Sequence, residues 1–366
     1  MAGNAAFLRE SFRFPFAVTP LHFYPMKAPL ICAVVLCLAF FEDTNVAAAP
    51  GAPEPVFRSG DRVVFVGNTF VERARLYGEI ETALSLAAGP DVSGLTFRNL
   101  GWSGDSVFGD ARSYFGPPSE GRERLDRAFS EARPQVVFIC YGTGAAMSVD
   151  QGWTGEATAA ERSGAGLEES LALFLDGYRG LIDRIRASSG DDLREIVLLA
   201  PPPLENLGNP LPDHADNNRN LARFRDEIRE LAASEELRFV DLFAAMGGDD
   251  SDGSVADPAL TENGIHFGRE GYRIVGRRLV EELGYEADAI AHPPELVAAM
   301  QNHIVEKNRL FFHRWRPANE TYLFLFRKHE QGQNAKEIPL FDPLIEAEET
   351  KIEAARLAVF AGKVKK

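Results

Sequence analysis

Cysteine is scarce in this chain, with three in 366 residues, at positions 32, 37 and 140. Two of them sit in the apolar stretch 28–41, which reads as part of a removable leader. The remaining chain would keep only Cys140, so no internal disulfide is expected. Cys140 itself lies in an apolar run, 136–140, and reads as a buried structural thiol rather than a nucleophile. Basic residues are also in deficit, 39 Lys and Arg against 54 Asp and Glu, for a formal charge of −15. A nucleic acid or an anionic membrane needs the opposite balance, so small or neutral ligands are the expected partners. Histidines number seven, and His214, His292 and His303 have no cysteine or carboxylate at metal-ligand spacing. No metal and no cofactor is expected. The apolar stretch 28–41 has 14 residues, fewer than the roughly 20 needed to span a bilayer.

What is present suits a full hydrophobic core: 45% hydrophobic and 25% charged residues. Residues 1–49 read as an export segment, with a basic start at Met26-Lys27, the apolar stretch, and Ala47-Ala48-Ala49 ahead of Pro50. Residues 1–25 carry Arg9 and Arg13 and sit awkwardly before such a signal, so Met26 is the expected start. A retained single anchor is the alternative. A proline-rich linker, 50–60, follows.

From 61 to 289 short β-rich runs (62–67, 95–100, 135–141, 195–200, 237–243) alternate with helical patterns (72–88, 120–132, 167–187, 217–233, 269–283). Such alternation predicts crossover connections and a three-layer, doubly wound parallel sheet of five strands. The order 2-1-3-4-5 would place ligands at the carboxyl ends of strands one and three, where Thr69 and Gly142 fall. Residues 145–166, rich in Gly, Ala, Ser and Thr, read as a flexible loop able to cover that end. Residues 290–366 change composition and read as a helical C-terminal extension.

Three short blocks fall at the strand ends: Gly67-Asn68-Thr69, Asn99-Leu100-Gly101-Trp102-Ser103-Gly104 and Tyr141-Gly142-Thr143-Gly144. A fourth, Asn263-Gly264-Ile265-His266 with Gly271-Tyr272, follows the last strand. In this order they resemble the blocks of the SGNH (GDSL-type) hydrolases. The resemblance covers roughly residues 61–283 and implies hydrolysis of acyl or acetyl esters, including esters on carbohydrate. It casts Thr69 as nucleophile, His266 as base and Asn263 as its orienter. The N–H groups of Thr69 and Gly101 would form the oxyanion hole, with Asn68, Thr143 and Gly144 lining the binding site.

Several positions depart from that pattern. Threonine replaces serine at 69, where its methyl crowds the attack path, and Thr69 could instead simply cap the following helix. Glycine at 144 removes an amide donor, a loss of about a hundred- to a thousandfold in rate. Asparagine at 263 replaces the orienting aspartate. Its amide oxygen could still accept the imidazole N–H, although a comparable change in serine proteases lowers turnover about ten-thousandfold. Glu262 and Asp257 are nearby carboxylates that could compensate, or mere loop charges. An inefficient hydrolase is expected, with a catalytically degenerate ligand- or glycan-binding module as the alternative. Finally, Arg314-Trp315-Arg316, beside Phe311 and Phe312, groups aromatic faces with guanidinium forks that suit a sugar or an anionic group. The same grouping also suits a packing corner that clamps the extension to the core.

Overall fold

The computed structural model describes residues 54–149, 166–249 and 258–363. The expected export segment, most of the loop 145–166, and Asp257 lie outside these residues. The element order is β1 (Arg62–Gly67), α1 (Thr69–Ala74), α2 (Glu79–Ala87), β2 (Thr96–Asn99), α3 (Pro118–Ala132), β3 (Val136–Cys140) and α4 (Thr143–Met147). There follow α5 (Leu167–Ser189), β4 (Glu195–Ala200), α6 (Ala215–Ser234), β5 (Arg238–Asp241), α7 (Leu242–Ala245) and α8 (Arg269–Glu282). The chain ends in α9 (Pro294–Trp315), α10 (Glu320–Leu323), α11 (Lys328–Gln331) and α12 (Phe341–Lys363).

The five strands form one parallel sheet in the order β2-β1-β3-β4-β5, as the alternation of patterns predicts. The central strands β1, β3 and β4 are β-branched or large apolar runs buried on both faces, which is what a sheet covered by helices on each side requires. One face packs Phe129, Phe174, Tyr178, Phe224 and Ile228 from α3, α5 and α6; the other packs Leu84, Tyr272, Val275 and Leu279 from α2 and α8. Val56 and Phe57, read as linker, belong to the second of these cores, where Phe57 meets Phe97, Phe138 and Tyr285.

Two local expectations are corrected. The single helix predicted over 72–88 is two helices separated at Gly78, and the first begins earlier, at Thr69. The start of the predicted loop, 145–147, is helical as the end of α4.

The C-terminal residues form a helical hairpin in which α9 and α12 pack on each other through Met300, Ile304, Ile352 and Val359, together with Leu86 of α2. The hairpin covers edge strand β2. Lys307 Nζ donates to Phe97 O (2.9 Å) and Asn308 Oδ1 (2.9 Å), and pairs with Glu81 (2.8 Å), all of it buried. Arg98 of β2 pairs with Glu349 of α12. Covering an edge strand in this way removes a surface on which another chain could add a strand. Among the described residues no helix is long and apolar enough to cross a membrane.

Candidate active site

Strand β1 ends at Gly67 and the chain turns directly into α1. Asn68 is the N-cap, its Oδ1 accepting from Phe70 N at 3.2 Å. The cap is therefore supplied by Asn68, and the reading of Thr69 as the capping residue is corrected. Thr69 is the first helical residue, where a backbone N–H has no partner within the helix. Its Oγ1 accepts instead from Gly104 N, at 3.3 Å, across the turn that follows β2.

That turn also corrects the assignment of Gly101. Gly101 N donates to Asn99 Oδ1 (2.9 Å), so it is not available to an oxyanion. A Cβ there would lie 2.3 Å from Glu72 N, so position 101 is glycine because α1 crosses against it. Gly104, three residues on, is the glycine whose N–H faces Thr69. The next residue, Asp105, is buried in the cavity wall and accepts from Arg112 Nε (2.6 Å) and Tyr141 OH (2.7 Å), tying the turn to the end of β3.

Thr69, Gly104, Thr143, Gly144 and His266 line one cavity of about 280 Å³, with Asn68 and Arg73 also on its wall and Val107, Met147, Phe174 and Leu204 supplying apolar surface. It lies at the carboxyl ends of β1 and β3, where the sheet order reverses direction. A Cβ on Gly144 would meet nothing within 4 Å. Space for a side-chain donor is present, and the donor is absent.

His266 stands on the turn 261–267, just ahead of α8. Asn263 Oδ1 accepts from His266 N (2.9 Å) and Ile265 N (3.2 Å), which fixes the orientation of the amide. Flipping it would set the NH2 group against two N–H donors. Asn263 Nδ2 therefore faces His266 Nδ1, at 3.2 Å. An amide nitrogen only donates, so Nδ1 is the acceptor and the neutral ring carries its proton on Nε2. The expectation that the amide oxygen would accept an Nδ1–H is thus overturned, because that oxygen is committed to the backbone. No hydrogen bond joins Thr69 to His266.

Burial and, next, the Arg73 guanidinium hold the His266 pKa below the ordinary 6.5, against an opposing pull from Glu262. The acid limb of kcat/KM for any His266-dependent reaction should accordingly lie below pH 6.5, because the ring is neutral above its lowered pKa. A rate measured from pH 4 to 8 checks this, and an inflection above 6.5 would contradict it. Glu262, a candidate substitute acid, accepts from Arg73 Nη2 (2.9 Å) and Tyr77 OH (3.3 Å) and does not reach Nδ1. Arg73 was not singled out from the sequence. Its position four residues after Thr69 puts both on one helical face, which is the signal available there.

The Arg314-Trp315-Arg316 cluster does not line this cavity. Arg316 donates to Glu72 Oε2 (2.9 Å) and lies 3.6 Å over the Trp102 ring, while Trp315 packs edge-on to Trp102. Arg314 donates to Asp342 (2.8 Å) and, with Trp315, borders a separate hollow of about 370 Å³ between α3, α9 and α12. The packing corner is what these contacts describe. Cys140 is buried, and burial pushes its thiol pKa far up. Among the described residues no three His, Cys, Asp or Glu side chains converge as a metal site would require.

A hydroxyl, the Gly104 N–H that meets it and an imidazole line one cavity at the carboxyl end of a doubly wound sheet, the groups that hydrolases with a side-chain nucleophile use. The chain belongs to the GDSL-like Lipase/Acylhydrolase family, whose model matches residues 68–274. Among solved structures it is similar to BT4096, a gut microbial diltiazem-metabolizing enzyme, at 12% identity and a TM-score of 0.56 over 82% of this chain and 96% of that one. It is also similar to Axe2, an acetylxylan esterase from Geobacillus stearothermophilus, at 19% identity and a TM-score of 0.44 over 63% of this chain and 97% of the other. No curated protein matches.

Proposed function

We propose that this chain is a slow hydrolase of small acyl esters, acetyl groups on carbohydrate among them, exported by the segment 1–49. The observation that carries the reading is the meeting of Thr69 Oγ1, the Gly104 N–H and the His266 ring on one cavity. Thr69 Oγ1 attacks the ester carbonyl; as it does so the Gly104 N–H turns from Oγ1 to the oxyanion, and the Thr69 N–H is the second donor. His266 Nε2 takes the hydroxyl proton and returns it to the leaving alcohol. Water then hydrolyses the threonyl ester by the same route. The apolar wall of Val107, Met147, Phe174 and Leu204 suits the acyl chain.

Slowness follows from His266. To accept a proton at Nε2 the ring must first move its own proton to Nδ1, against the Asn263 NH2 group. The missing donor at Gly144 adds a further loss, about a hundred- to a thousandfold where one donor has been removed elsewhere.

The test is turnover of p-nitrophenyl acetate. Wild type should turn over below about 1 per second, the lower end of the ordinary enzyme range. Thr69→Ala and His266→Ala should each reduce the rate to near that of buffer. A Thr69→Ala rate equal to wild type would overturn the reading. The second reading, a non-catalytic binding module on the same fold, is favoured by the Asn263 amide facing Nδ1. It predicts ligand binding in the same cavity with no rate above buffer.

A further inference from the structure

We infer that Glu205, on the loop after β4, is the positioning residue for His266; the inference rests on the hydrolase reading above. Glu205 is buried, with 8% of its surface exposed. Its carboxylate accepts from Leu260 N (3.0 Å to Oε1), Thr261 N (2.7 Å to Oε2) and Thr261 Oγ1 (2.5 Å to Oε2). Its backbone N donates to Gly264 O at 2.9 Å. Thr261 Oγ1 in turn accepts from Gly264 N at 3.0 Å. One residue thus grips the turn 260–264 at both ends, and that turn delivers Asn263 and His266.

The turn has little freedom to settle elsewhere. Gly264 has φ +87°, and a Cβ there would lie 2.6 Å from Glu205 O and 2.9 Å from the ring of His214. Thr261 and Phe267 pair as an antiparallel bridge, closing the loop on itself. A carboxylate is the right group at 205 because every donor aimed at it is an N–H or O–H and it has only acceptors to offer. Glutamine has the same shape but would turn an NH2 group against Leu260 N or Thr261 N. The nearest effect is on the angle of the imidazole, and misplacement of a catalytic group by about 1 Å lowers rates on the order of a hundredfold. Glu205 touches no reacting atom.

The experiment compares Glu205→Gln and Thr261→Val with wild type. Thr261→Val keeps the backbone bonds to Glu205 and removes the hydroxyl bridge to Gly264, so it serves if the first variant folds poorly. Two readouts are taken. In p-nitrophenyl acetate hydrolysis, Glu205→Gln should lower kcat by roughly ten- to a hundredfold with KM within about twofold. In 15N NMR, the resonances of Asn263 and the His266 ring should shift or split in both variants while those of the sheet stay in place. A kcat within about twofold of wild type for Glu205→Gln, or unmoved His266 resonances in both variants, would overturn the inference. If wild type shows no hydrolysis at all, the hydrolase reading fails, and the NMR comparison still decides whether Glu205 positions His266.

Discussion

Asn263→Asp should raise kcat for p-nitrophenyl acetate by about a hundredfold or more. The corresponding loss in serine proteases, aspartate to asparagine, is about ten-thousandfold and is assigned to the wrong imidazole tautomer. In this chain the geometry of that error is visible. Asn263 Oδ1 holds two backbone N–H groups, so only its NH2 is left to meet His266 Nδ1. A carboxylate keeps the backbone bonds on one oxygen and offers the other to an Nδ1–H, freeing Nε2 to act as a base. The substitution also stabilises the imidazolium formed during attack. Steady-state kinetics of the purified variant, with Thr69→Ala in the same background as control, measures the effect. A gain under about threefold would mean that the tautomer does not limit the reaction and that the missing donor at Gly144 or the Thr69 methyl does.

Lys307→Ala should destabilise the fold by about 3–5 kcal/mol, the range for breaking a buried ion pair from one side. Lys307 is fully buried on α9, and its loss leaves Glu81 on α2 without its cation in a dry environment. The same change removes the bond to Phe97 O that holds the helical hairpin on β2. The double variant Lys307→Met with Glu81→Leu should recover most of the loss, because replacing both members of such a pair by apolar groups is often neutral. Urea unfolding of the three proteins checks this. A change below about 1 kcal/mol for Lys307→Ala would show that the hairpin is held by its apolar seam alone.

The architecture was legible because β1, β3 and β4 are compact apolar runs bounded by turn residues and alternate with the long amphipathic helices α3, α5, α6 and α8. Sheet order, the placement of Thr69 just after β1, and the family followed from that periodicity and from the short blocks. The parts that were not legible depend on where side chains fold back. Asn99 and Gly104 bracket the second turn, and only the bond from Gly101 N to Asn99 shows that Gly104 is the outward glycine. Which atom of the Asn263 amide faces His266 is likewise set by two backbone N–H groups and by no sequence pattern. Glu205 is separated from His266 by α6, β5 and α7, and nothing local marks it. Arg314, Trp315 and Arg316 look the same in sequence whether they meet a ligand or their own acidic neighbours. In the structure Arg316 meets Glu72 and Arg314 meets Asp342.

Asn263 holds the neutral His266 ring in the tautomer with its proton on Nε2, so that nitrogen must lose its proton before it can act as a base. The direct measurement is 15N NMR of the His266 ring in the neutral wild-type protein, above its lowered pKa, assigned by loss of the signals in His266→Ala. The account predicts a proton on Nε2 and an unprotonated Nδ1. A ring protonated on Nδ1 would contradict it.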